Sequence, residues 1–381
     1  MESMAKTSTI RRLARLAPVL LAASALLAAC ASPHNPGKSS GATTTTSTLT
    51  TLVPTTTAPT VATTGPLQVT ATVAVPVPAN VQITAAEAPD GAVFVSQEGH
   101  DPATATVVWV VDPTGPAAIA EHVNGGVSAL AADATNLYVV ADDSVIGYTR
   151  STGNQMGQWK LPPIDTANTS NADLVSMVAA SGEVLVMITQ GNLQDVYRIL
   201  PTSTAAAKEI AQGTSAALGP DGSVYYERSD NHLMKLSPAG VTTVGPLLAN
   251  TPNGSGGGIA GVDAVAGGLV WVSEPAGQGL DAQLSPYNAG TLQAMGSYSG
   301  SVSEQIVDTS AGALVLVGPD GPGGCPQGPT AASISCVFRI SQTAELSFPT
   351  PVGTADQLLG PLPAVVTAST TTADLELDRL T

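Results

Sequence analysis

Ala217-Leu-Gly-Pro-Asp-Gly-Ser-Val-Tyr-Tyr-Glu227, continued by His232-Leu-Met-Lys-Leu-Ser-Pro-Ala-Gly240, reads as two strands around a tight turn and then a third strand. Pro220 presets φ for the turn and Gly222 supplies the left-handed conformation a hairpin needs. The β-branched and aromatic run Val224-Tyr-Tyr226 suits a pleated, buried surface. The same design recurs on both sides. Upstream stand Ala88-Pro-Asp-Gly-Ala-Val-Phe-Val-Ser96, Leu130-Ala-Ala-Asp-Ala-Thr-Asn-Leu-Tyr-Val-Val140 and Val178-Ala-Ala-Ser-Gly-Glu-Val-Leu-Val186. Downstream stand Val265-Ala-Gly-Gly-Leu-Val-Trp-Val272, Thr309-Ser-Ala-Gly-Ala-Leu-Val-Leu-Val317 and a degenerate Leu362-Pro-Ala-Val-Val-Thr-Ala368. The first apolar residues after the turns are Val93, Leu137, Val184, Val224, Leu269, Leu314 and Val365, at steps of 44, 47, 40, 45, 45 and 51.

A period of about 40–45 residues with several short strands per copy marks a β-propeller blade. The expected architecture is therefore all-β: seven four-stranded antiparallel blades over residues 66–381. Third strands are expected at Ser144–Thr149 and His232–Leu236. A pair of β-sandwiches or a barrel is the competing architecture, and neither normally repeats one motif at so constant a spacing. The last copy runs out after a third strand, Leu375-Glu-Leu-Asp-Arg-Leu380, while Leu67-Gln-Val-Thr-Ala-Thr-Val-Ala-Val75 has no blade of its own. Closure of the ring by this N-terminal strand is the expectation, because it removes an exposed edge.

Composition agrees. The 381 residues are 11% charged and 3% aromatic, with 38 Gly and 29 Pro, which excludes a helical bundle or coiled coil. A hydrophobic fraction of 43% supports a core. The formal net charge of −16 argues against a nucleic-acid partner, which requires a positive footprint.

The first residues read as an address. Lys6, Arg11, Arg12 and Arg15 precede an apolar run from Leu16 to Leu27, too short for a bilayer span of roughly 20 residues. Leu27-Ala-Ala-Cys30 follows. This arrangement resembles the lipobox of bacterial lipoproteins, and the resemblance implies a signal peptide over 1–29 and a diacylglyceryl group on Cys30. Ordinary secretion with an incidental cysteine is the alternative. Stable anchoring takes two or more acyl chains. Loss of residues 1–29 leaves 9 basic against 28 acidic groups, a net charge of −19, so lipid rather than electrostatics would hold the body to a membrane. A monomer on the extracytoplasmic face of the cell membrane is expected.

Residues 30–65 hold Thr43 to Thr46, Thr55 to Thr57 and Thr63-Thr64, with one charge, Lys38, and no hydrophobic period. Such a segment reads as a disordered tether, glycosylated or bare. With Cys30 lipidated, Cys325 and Cys336 remain, and an oxidising compartment favours a disulfide between them. Free thiols are the other state. A metal site fails for want of neighbouring ligands.

The fourth copy resembles streptogramin-lyase-like and NHL-type propellers, and Glu227, like Glu274 of the fifth copy, matches their acid after the second strand. The second and fifth copies resemble quinoprotein-type and YVTN-type repeats equally. For the lyase family the resemblance implies a histidine base and a metal near the channel. His100 and His232, beside Glu98, Asp101, Glu227 and Asp230, are the candidates for one propeller face, with solvated loop residues as the plain alternative. No paired histidines occupy matching copies. No Gly-x-Ser-x-Gly elbow is present. Asn253-Gly-Ser-Gly-Gly-Gly258 lacks the lysine of a phosphate loop. Asp142-Asp143 and Asp320 lack the spacing of a calcium loop. With three Trp, at 109, 159 and 271, a quinone site is not supported. The expected function is a binding or scaffolding module for an envelope protein or carbohydrate, with no cofactor. The alternative is a metal-dependent lyase or lactonase-like enzyme.

Overall fold

The computed structural model describes residues 65–381 except 80, 99–104, 165–173, 181, 191–192, 249–260, 276–281, 297, 300–304, 318–334, 344, 354 and 370–372. Among the described residues every regular element is a strand. β1 (Val69–Pro78) comes first, followed by the first sheet, β2 (Ile83–Glu87), β3 (Val93–Gln97), β4 (Ala105–Val111) and β5 (Ala117–Asn124). The second sheet is β6 (Val127–Ala132), β7 (Asn136–Ala141), β8 (Ser144–Thr149) and β9 (Gln155–Lys160). The third is β10 (Leu174–Ala180), β11 (Glu183–Gln190), β12 (Leu193–Ile199) and β13 (Lys208–Gly213). The fourth is β14 (Ser215–Leu218), β15 (Val224–Glu227), β16 (His232–Leu236) and β17 (Thr242–Leu247). The fifth is β18 (Gly261–Ala266), β19 (Leu269–Pro275), β20 (Ala282–Asn288) and β21 (Tyr298–Ser299). The sixth is β22 (Ile306–Thr309), β23 (Gly312–Val317), β24 (Cys336–Ile340) and β25 (Leu346–Pro351). The seventh is β26 (Ala355–Leu359), β27 (Ala364–Ala368) and β28 (Asp374–Leu380), with β1 hydrogen-bonded outside β28 and Val73 opposite Leu377.

All pairings within the sheets are antiparallel, and each sheet packs on the next, the seventh touching the first through β26 and β2. The result is a seven-bladed β-propeller.

The turn chemistry explains the hairpins. Asp90 Oδ1 accepts Ala92 N–H at 3.3 Å, Asp133 Oδ1 accepts Thr135 and Asn136 N–H at 2.7 Å, and Asp221 Oδ1 accepts Ser223 N–H at 2.9 Å. Gly91 and Gly222 adopt φ of 85° and 83°, which a side chain would resist.

The core is divided among seven apolar clusters, each filling one junction between neighbouring sheets. Second strands serve two clusters at once, because successive side chains point to opposite faces. Val93 and Val95 join Leu377 on one side, and Phe94 joins Leu137 on the other. Val184 and Val186 face Tyr138, while Leu185 faces Val224. Both faces are buried, so these strands read as continuous apolar runs. Each such side chain contributes about 1.5–3 kcal/mol by leaving water.

Candidate functional site

The face carrying the ends of the second strands is where the sequence puts its candidate residues. Cys30, His100, Asp101 and Cys325 lie outside the described residues. Glu98 directly follows β3, and its backbone N–H donates to the Gln82 carbonyl at 2.8 Å. His232 opens β16. Its Nδ1 stands 3.3 Å from Asp230 Oδ1, and Arg228 Nη2 stands 2.6 Å from Asp230 Oδ2. The hydrogen bonds from Arg228 hold the Asp230 carboxyl well below the usual carboxylate range. This trio is brought together by one short turn, at which Asn231 adopts a positive φ of 66°.

Glu227 and Glu274 turn away from that surface. Glu227 ends β15 with no exposed area, and its Oε2 accepts the Thr214 hydroxyl at 2.8 Å. Burial raises its pKa, against the hydrogen bonds from Thr214 and Ser215. Glu274 on β19 is also buried, and its Oε1 accepts the Tyr287 hydroxyl at 3.0 Å. Tyr287 belongs to β20, the neighbour of β19, and Thr214 directly precedes β14, the neighbour of β15. Cys336 starts β24 fully buried within the cluster between the fifth and sixth sheets.

Several polar residues that sequence reasoning did not single out tie one sheet to the next. Ser215 Oγ accepts Val262 N–H at 2.8 Å, Gln305 Oε1 accepts Leu358 N–H at 2.7 Å, and Gln357 Nε2 donates to the Ala85 carbonyl at 3.1 Å. Gln194 Oε1 accepts the N–H of Ala216 in the same way. These bonds satisfy backbone groups on inner strands that no further strand covers. Basic side chains do comparable work. Arg150 grips both Asp90 oxygens at 2.8 and 3.0 Å, lies over the Phe94 ring and donates to the Asp133 carbonyl at 2.9 Å. Arg379 reaches Glu87 at 3.4 Å and the Val111 carbonyl at 3.2 Å. Lys235 donates to the Ala289 carbonyl at 2.9 Å.

A concave feature among the described residues is the central channel, about 740 Å³, bordered by the inner strands of all seven sheets. Ala85, Ala131, Val178, Ala217, Val265 and Leu358 give its apolar character. Glu87, Asp263 and Asp308 are the ionisable residues in its lining, which includes no Lys, Arg or His among the described residues. Among the described residues no group of three His, Cys, Asp or Glu is placed to hold a metal ion, and no helix is long and apolar enough to cross a membrane.

The fold and its channel define the class: a seven-bladed propeller. Neither a family profile nor a curated protein sequence matches the chain. Solved structures do. An oligogalacturonate lyase in complex with manganese aligns with a TM-score of 0.51 at 10% identity, over 83% of this chain and 98% of that one. BamB from Moraxella catarrhalis aligns with a TM-score of 0.49 at 11% identity, over 82% and 99%. Regucalcin, a calcium-binding protein from Agrobacterium tumefaciens, aligns with a TM-score of 0.37 at 15% identity, over 65% and 86%. At these identities the likeness is one of fold, and fold alone does not carry function.

Proposed function

We propose that this chain is a lipid-anchored, extracytoplasmic protein of the cell envelope whose propeller is a binding or scaffolding module. In this reading Cys30 carries the lipid, residues 31–65 form the tether, and a Cys325–Cys336 disulfide braces the longest insertion. The observation that carries the binding reading is the use made of the polar side chains. Glu227 and Glu274 are bound inside their own sheets, and Arg150, Lys235 and Arg379 tie sheets together. Side chains held this way stiffen a disc, and a stiff disc presents loops and a channel to a partner. An envelope protein or a carbohydrate fits that role, with the chain acting as a monomer.

The test is unfolding of the purified, oxidised protein in EDTA and then with Mn²⁺ or Ca²⁺. A ligand that binds only the native state raises stability by mass action. The proposal expects the same Tm throughout. A saturable metal-dependent rise would overturn it in favour of the lyase or lactonase-like reading and direct attention to His100 and Asp101.

A further inference from the structure

We propose that the central channel binds a small, uncharged, mainly aliphatic molecule, which enters on the face formed by the turns between first and second strands. The inference goes beyond the partner-binding reading and does not depend on the lipid anchor.

It starts from the apolar side chains that the inner strands leave uncovered. Ala86, Val178, Leu218, Val265 and Val307 stand on the first strands of five different sheets, and Met187 on β11 joins them in the channel lining. All of these are only half-buried, whereas Val270 and Leu314 on the second strands behind them have no exposed area. Aliphatic surface from several directions therefore borders one space of about 740 Å³, which falls in the range of small-molecule sites. Covering that surface with an apolar molecule is favourable by about 25 cal/mol per Å². Pro89, Pro220, Ser310 and Pro361, all in turns between first and second strands, belong to the same lining and mark the mouth.

The mouth is already formed. The Ser310 N–H donates to the Pro361 carbonyl at 2.7 Å and ties the sixth turn to the seventh. The Gly267 N–H donates to Asp308 Oδ1 at 3.0 Å and ties the fifth to the sixth, while Gln357 reaches the Ala85 carbonyl and ties the seventh sheet to the first. A rim held this way loses little freedom when a ligand enters.

The acids of the lining set the ligand's charge. The Glu87 side chain has no exposed area and is engaged by Arg379, so this residue borders the channel through its backbone. Asp308 holds the Gly267 N–H, and Asp263 Oδ2 accepts the Ser273 hydroxyl. These two carboxylates repel an anion, and groups of the protein itself already engage them against a cation. A charged head would also exchange its water for aliphatic walls, which is costly. An uncharged body meets neither penalty.

The experiment uses the full chain carrying Cys30→Ala, which removes the proposed lipid and with it the need for a detergent that would compete for apolar probes. Calorimetric titration compares octan-1-ol, octanoate and octylammonium, which share one aliphatic body, and is repeated on Val265→Asp, Val178→Asp and Val244→Asp. Val244 on β17 is 57% exposed and does not line the channel, so its variant controls for apolar surface elsewhere. Saturable binding of octan-1-ol is expected, about tenfold or more tighter than that of either ion. Val265→Asp and Val178→Asp should each weaken it about tenfold or more, because each places a charge against the ligand. Val244→Asp should leave it unchanged. The proposal is overturned by absence of saturable octan-1-ol binding, by an ion that binds as tightly as the alcohol, or by an equal loss in Val244→Asp. Circular dichroism and Tm matching the parent separate lost binding from lost folding. If both channel variants unfold, Val265→Thr, which keeps the side-chain volume, should weaken octan-1-ol about threefold while Val244→Thr does not. Equal affinities of those two variants would overturn the assignment as well.

Discussion

Glu87 and Arg379 meet at 3.4 Å across the junction between the first and seventh sheets, both side chains almost wholly buried. Burial outweighs the attraction of the guanidinium and pushes the Glu87 carboxyl up to about 8. Burial also lowers the Arg379 pKa. The pair sits where the two ends of the propeller sequence come together, since β1 and β28 form the outer half of the seventh sheet.

A pH dependence follows. The folded state holds a proton on Glu87 that the unfolded chain releases near its ordinary carboxylate pKa. The resulting stability is fully present below the unfolded value and is lost as pH rises through about 8. Between pH 5 and pH 8, wild type should lose on the order of 2–4 kcal/mol more than Glu87→Gln. Urea midpoints at the two pH values measure this. Identical slopes would show that Glu87 does not carry the effect.

Arg150→Ala should cost more than Asp90→Asn. The arginine loses the Phe94 ring and two backbone carbonyls as well as its ion partner, about 1–3 kcal/mol. The aspartate side chain is 58% exposed, so its change should cost about 1 kcal/mol or less. Chemical denaturation of both variants checks the order.

Peptide mapping without reductant should recover Cys325 and Cys336 in one linked species. Reduction should then lower stability by about 3 kcal/mol, as expected for a short closed loop. Recovery of two free thiols would remove the proposed brace.

Deleting residues 66–76 should abolish cooperative unfolding, because it takes most of β1 from β28 and exposes Leu375 and Leu377. Deleting residues 31–60 should leave the urea midpoint unchanged. Equal stability of the two truncations would mean that β1 does not close the ring.

The blades were legible because their signals are local. Pro220, Asp221 and Gly222 announce a turn wherever they occur, and the third strands at Ser144–Thr149 and His232–Leu236 begin and end where their sequence suggests. The candidate site was less legible. Whether Glu227 meets solvent or Thr214 depends on which way a strand-end side chain points, and that is settled by the residues at the start of β14 beside it. Gln305 and Gln357 gave no signal at all, since an amide that bridges two blades looks like any other glutamine in sequence. A bulge is equally silent: Val262 stands opposite Val272 and Ala264 opposite Trp271, so Asp263 is an extra residue only relative to β19.

The most direct test of the envelope assignment is the intact mass of the protein purified from bacterial membranes, beside that of a Cys30→Ala variant. The wild type should begin at Cys30, carry a diacylglyceryl modification and stay with the membrane fraction, while the variant should lack the lipid and leave that fraction. A wild-type chain without lipid, fractionating as the variant does, would contradict the assignment.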